Sequence, residues 1–143
     1  MNENEHTAEF LTELDDSLVS ELLSNENLER IASIIEKAPT SDQSGILNLL
    51  EEEKLLNNAT KQGNYLIQEL SKLDSIETIT GRGLMLGVVV KGNGKALRST
   101  LLTKHNIFTG GCANPSVLRL LPPMNITQKE CDKLINAIKA ELA

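Results

Sequence analysis

Apolar residues recur at every fourth position from Phe10 through Leu14 and Leu18 to Leu22, with Leu11, Val19 and Leu23 widening the stripe. That spacing predicts an amphipathic helix from about Ala8 to Leu23. Ser24-Asn25 breaks it and offers a cap. Leu28, Ile31, Ala32, Ile34 and Ile35 then predict a second helix that stops near Pro39. The polar stretch Pro39 to Gly45 reads as a joint. A longer helical pattern follows from Ile46 to about Leu73, carried by Leu47, Leu50, Leu55, Ala59, Leu66, Ile67 and Leu70. Gly63 lies inside it at a cost of about 1 kcal/mol relative to alanine, which marks a close packing contact or a bend.

The period then shortens to two. Ile76 to Thr80 alternates as a half-exposed strand does, and Gly81-Arg82-Gly83 turns or bulges the chain into an apolar strand, Leu84 to Val90. Met85, Val88 and Val90 are its candidate core residues. Lys91 to Lys95 has a passing likeness to a phosphate-binding glycine loop but lacks its spacing and the Ser/Thr after its lysine, so it reads as the turn before a helix over 94–105. Short strands are expected at Ile107–Thr109 and Val117–Leu121, separated by a Gly-Gly loop. Thr127 and Glu130 stand as a capping box at the head of a last helix, 127–142. The fold class expected is α+β: a small antiparallel or mixed sheet of three to four strands with helices on one face, preceded by a helical hairpin.

Charge divides the chain. Residues 1–45 carry eleven acidic and two basic residues, a net of −9 against +3 for the rest of a chain whose total is −6. The organisation expected is therefore an acidic helical hairpin over 1–45 and a second domain over 46–143. Three aromatics and a negative charge argue against stacking or phosphate contacts with nucleic acid. The longest apolar run, Leu84 to Val90, is too short to span a membrane, and the first residues lack the pattern of a signal peptide. Cys112 and Cys131 lack metal-ligand or redox spacing, which points to free thiols and a cytoplasmic setting.

The residue that departs from its surroundings is Arg119, a charge within the apolar run Val117 to Leu121. A guanidinium is always ionised and costs several kcal/mol, roughly, to bury without an anionic partner. It either pairs with one of the chain's acidic residues or faces a cleft and holds a ligand carboxylate by two points.

Several segments, in order, carry a resemblance: Glu53 to Ala59 with Gly63 and Tyr65-Leu66, then Gly81 to Gly87, Leu97-Arg98-Ser99, Ile107 to Gly110, and Val117 to Pro123. Over residues 46–143 the chain resembles the small C-terminal domain of class III pyridoxal-phosphate (PLP) aminotransferases, the acetylornithine and succinylornithine enzymes above all. The resemblance implies a long helix joining a large and a small domain, and it places Arg119 at the arginine that holds a substrate carboxylate. None of the chain's lysines stands in the context of the family's cofactor lysine, and residues 1–45 match no part of the family. The expected function is a truncated or split aminotransferase fragment, without cofactor or catalysis alone. It would be completed by a separate large aminotransferase domain or by self-association. The alternative is a non-enzymatic binding or adaptor protein that uses the acidic hairpin or a carboxylate cleft.

Overall fold

β1 (Ile76–Arg82) and β2 (Met85–Val90) form an antiparallel hairpin in which Ile79 faces Val88 and Gly81 faces Leu86. Gly81 and Gly83 adopt φ of +107° and +55°, the left-handed region that glycine enters without strain. β4 (Val117–Leu120) pairs antiparallel with β2, and the two-residue β3 (Gly110–Gly111) pairs antiparallel with β4. The sheet order is β1-β2-β4-β3. The computed structural model describes residues 16–52 and 54–143, with only the backbone of Asp16.

Alternation sorts the sheet into two faces. Leu86, Val88 and Val90 on β2 and Leu118 and Leu120 on β4 are buried. They belong to one core with residues of α4 (Leu55–Leu70), α5 (Gly94–His105) and α6 (Gln128–Leu142). α4 packs on β1 and α6, and α5 packs on β4 and α6. Fully burying an aliphatic side chain of this size contributes about 1.5–3 kcal/mol. The α+β class expected is the one found. Met85 is not a core residue: its neighbours Leu84 and Leu86 take the inward positions of the pleat and leave it 39 % exposed.

Three expected elements differ. The single helix over 46–73 is two helices, α3 (Thr40–Glu52) and α4, separated at Lys54, whose φ of 56° and ψ of 24° stop a right-handed helix. The polar stretch 39–45 is the beginning of α3 rather than a joint. Pro39 has its φ preset for a turn, and its carbonyl accepts from the Asp42 amide at 2.8 Å. The strand expected at 107–109 is irregular chain. Asn106 closes α5 in a left-handed conformation, Phe108 is left 83 % exposed, and sheet pairing begins only at Gly110.

Ahead of α3 lie α1 (Asp16–Ser24) and α2 (Leu28–Lys37). α2 is capped by the Asn27 side chain, which accepts from the Arg30 amide at 2.9 Å. Ile31 and Ile34 are buried, with Leu28 and Ile35 packed beside them, while Ala32 is exposed. On α1 the buried positions are Val19 and Leu23, and the expected Leu18 and Leu22 are about half exposed. The two stripes differ by one residue in phase, and packing against α3 selects the Val19 side. Phe10, Leu11 and Leu14 lie outside the described residues.

α6 begins as expected. Thr127 receives the Glu130 amide, and the Glu130 carboxylate accepts from the Thr127 amide and hydroxyl, both at 2.8 Å. Those two donors hold the Glu130 carboxyl below its ordinary value, the backbone one foremost. A lowered folded value means that the stabilisation is complete above the ordinary carboxylate range and fades as pH falls through the folded value. Glutamine can still serve at this position of a capping box and the site is exposed, so Glu130→Gln should cost only a few tenths of a kcal/mol, roughly, at neutral pH. The difference from the parent should vanish in urea titrations at acid pH.

Candidate functional site

Arg119 stands on the sheet face opposite the helices. Its cross-strand partners are Gly87 on β2 and Gly110 on β3, and Thr80 on β1 continues the row beyond Gly87. Neither glycine raises a side chain beside the guanidinium. A methyl group at Gly110 would come within 3.2 Å of the Arg119 Cβ, closer than an ordinary contact, so glycine keeps that flank open. The arginine thus rises from a glycine-lined strip.

A carboxylate already meets it. Arg119 Nη2 donates to Glu29 Oε2 at 3.2 Å, with the two side chains 40 % and 54 % exposed. Of the two readings of Arg119, the intramolecular pair is realised, and its partner lies ninety residues away in the first turn of α2. Backbone contacts hold it there. Asn27 forms a bridge with Pro123, the Met124 amide donates to the Glu26 carbonyl at 2.9 Å, and the Asn125 amide donates to the Ser24 carbonyl at 3.1 Å. The Asn58 side chain donates to the Met124 and Ile126 carbonyls at 2.7 and 3.0 Å, tying α4 to the same segment. The α1–α2 joint is thereby clamped to the chain leaving β4, at residues 123–125. A single contact between half-exposed groups contributes about 0–1 kcal/mol and leaves other guanidinium donors open to solvent.

Glu29 was not singled out by the sequence. Its one signal was its place in a helix first turn, behind the capping Asn27, and many surface carboxylates share that place.

Residues 41–142 match the profile of the family described as Aminotransferase class-III. The chain belongs to that family. Acetylornithine aminotransferase of Methanosarcina mazei is 33% identical over 96 residues, covering 65% of this chain and 24% of the relative. Ornithine aminotransferase of Staphylococcus carnosus is 33% identical over 95 residues, with coverage of 65% and 24%. Among solved structures, acetylornithine aminotransferase from Elizabethkingia anophelis superposes with a TM-score of 0.58 at 22% identity, over 70% of this chain and 28% of that one. A thermostable (S)-enantioselective omega-transaminase from Thermomicrobium roseum gives 0.56 at 29%, over 70% and 25%. The chain spans about a quarter of the length of the class-III aminotransferase relatives it matches.

Class-III aminotransferases depend on PLP, and the described residues do not fit that group. An imine-forming lysine needs a pocket that strips water from it, together with an acidic partner for the ring nitrogen. All ten lysines here are exposed. The thiols offer no substitute nucleophile at the site. Cys131 is fully buried on α6 and burial pushes its thiol up to about 11, and Cys112 lies in the loop after β3. Among the described residues no group of His, Cys, Asp and Glu is arranged to hold a metal ion, and no helix is long and apolar enough to cross a membrane.

Proposed function

We propose that this chain serves as the small-domain part of an acetylornithine- or succinylornithine-type aminotransferase. In that role Arg119 holds a substrate carboxylate, and a separate large domain supplies the cofactor lysine. On this reading residues 46–143 are the aminotransferase-like unit and residues 1–45 an added acidic hairpin. The observation that carries it is Arg119 on the open sheet face, between Gly87 and Gly110, in a chain of this family. Glu29 occupies the arginine until a substrate carboxylate displaces it. The chain alone performs no transamination. A second reading, a carboxylate-binding protein without catalysis, draws on the same Glu29 contact, since a site filled from within suits a sensor.

Two measurements test the proposal. Borohydride reduction of the purified chain with PLP, followed by intact mass, should show no stoichiometric pyridoxyl-lysine; one adduct per chain at a single lysine would overturn catalytic silence. Binding of 2-oxoglutarate, followed by the backbone amide NMR signals of Gly87, Gly110 and β4, should strengthen roughly two- to fivefold in Glu29→Gln, the worth of one exposed ion pair. It should disappear in Arg119→Ala. An unchanged response in both variants would remove Arg119 from the site.

A further inference from the structure

A second cleft lies between α5 and the outer edge of the sheet, and the role proposed for Arg119 makes no use of it. α5 lines it with Lys95, Arg98, Ser99 and Leu102, at the spacing of one helix face, and residues 108–111 form the opposite wall around a volume of about 490 Å³. It adjoins a hollow of about 320 Å³ beside the loop Cys112 to Pro115, with Lys95, Arg98 and Gly111 common to both.

The lining is cationic and unpaired. Among the described residues neither Lys95 nor Arg98 has an ion-pair or side-chain hydrogen-bond partner, and no acidic residue lines either hollow. Two like charges one helical turn apart repel each other until an anion sits between them. The Arg98 guanidinium lies directly over β3, because a Cβ at Gly111 would be 2.3 Å from its Nη1. Beside the cations, Phe108 and Leu102 are 83 % and 48 % exposed, and the Thr109 hydroxyl is buried without a partner among the described residues.

The backbone decides between a single anion and a chain. Three of the first-turn amides of α5 are already bonded: Lys95 to the Pro115 carbonyl, Ala96 to the Asn93 side chain and Leu97 to the Asn93 carbonyl. A phosphate at that helix end would find these three amides already taken. β3, by contrast, pairs among the described residues with β4 alone, so its outer edge offers ladder groups to another strand.

We propose that this cleft binds an extended acidic peptide from another protein, which adds to the outer edge of β3 and sets carboxylates at alternate positions against Lys95 and Arg98. Alternate residues of a strand lie about 6.6 Å apart on one face, close to the roughly 5–6 Å between neighbouring turns of a helix. Ladder bonds to β3 supply register, the two cations select acidic side chains, and Phe108 and Leu102 receive apolar ones.

The test is amide NMR of the full chain with a synthetic hexapeptide alternating glutamate and valine, beside a glutamine–valine peptide, glutarate and inorganic phosphate. The glutamate peptide should shift the amides of 108–112 and of α5. Its affinity should fall about tenfold or more in Lys95→Glu/Arg98→Glu, and it should weaken with salt. An unchanged urea midpoint in that double variant confirms that it folds. Equal binding in the double variant, or equal binding of the glutamine peptide, would overturn the proposal, as would matching shifts from glutarate or phosphate. If the probe binds only after residues 1–15 are removed, the occupant is this chain's own terminus and a separate partner is excluded.

Discussion

Gly63→Ala is expected to lower the thermal midpoint by about 3–10 °C, although alanine is the better helix former by about 1 kcal/mol. The reason is the backbone it would strike. A Cβ at Gly63 would sit 2.1 Å from the Gly83 carbonyl oxygen, 2.5 Å from its carbon and 2.9 Å from its Cα. No rotamer change relieves a clash with main chain, and Gly83 is itself held at φ +55° in the β1–β2 turn. Either α4 backs away from the hairpin or the turn distorts, and overpacking of this kind costs about 1–3 kcal/mol, sometimes more. Gly45 is the internal control. It lies in α3 with nothing within 4 Å of its Cβ position, so Gly45→Ala should stabilise by up to about 1 kcal/mol. Parallel melts of the two variants by circular dichroism check this, and equal midpoints would show that the α4–hairpin contact gives way easily.

The glycine contact shows what the chain's pattern can and cannot tell. A glycine in a helical run signals proximity to something, and the period-two stretches and the Thr127–Glu130 box place the strands and α6. The break between α3 and α4 left a trace that a generous apolar stripe hides. Buried positions step by four from Ile46 to Leu50 and from Leu55 to Ala59, but by five from Leu50 to Leu55. In α1 the stripes through Leu18–Leu22 and Val19–Leu23 have the same spacing, and only the α3 surface chooses between them. Ile107, Phe108 and Thr109 have strand-forming side chains, yet the left-handed Asn106 before them sets the chain's exit from α5. Arg119 was visible as a charge in an apolar strand. Its partner was not, because the approach of Glu29 depends on backbone bonds between the 24–27 joint and the 123–125 segment, groups that every residue type carries.

Those same bonds make the N-terminal helices structural, and removing residues 1–38 should cause the larger failure. Val19, Leu23, Ile31, Ile34 and Ala38 are each at most 5 % exposed and form one core with Ile46 and Leu50 of α3. Their loss uncovers apolar surface on α3. The Met124 and Asn125 amides lose their carbonyl partners at the same time, and Arg119 loses Glu29. Contiguous apolar patches beyond a few hundred Å², roughly, are rare on soluble monomers. The deletion also removes ten of the eleven acidic residues of the first 45, and with them the charge that keeps copies apart. The truncated chain should therefore scatter light at concentrations where the full chain is clear, and should unfold at a lower urea concentration. Ile34→Asp in the full chain separates packing from charge: it adds a negative charge while burying an unpaired carboxylate, and should still cost several kcal/mol, roughly. A truncated chain that stays monomeric with an unchanged urea midpoint would show that the helices only rest on the sheet-bearing domain. If instead Ile34→Asp destabilises while Arg119→Ala does not, the hairpin is held by its apolar face, and the Glu29 contact remains available to a competing carboxylate.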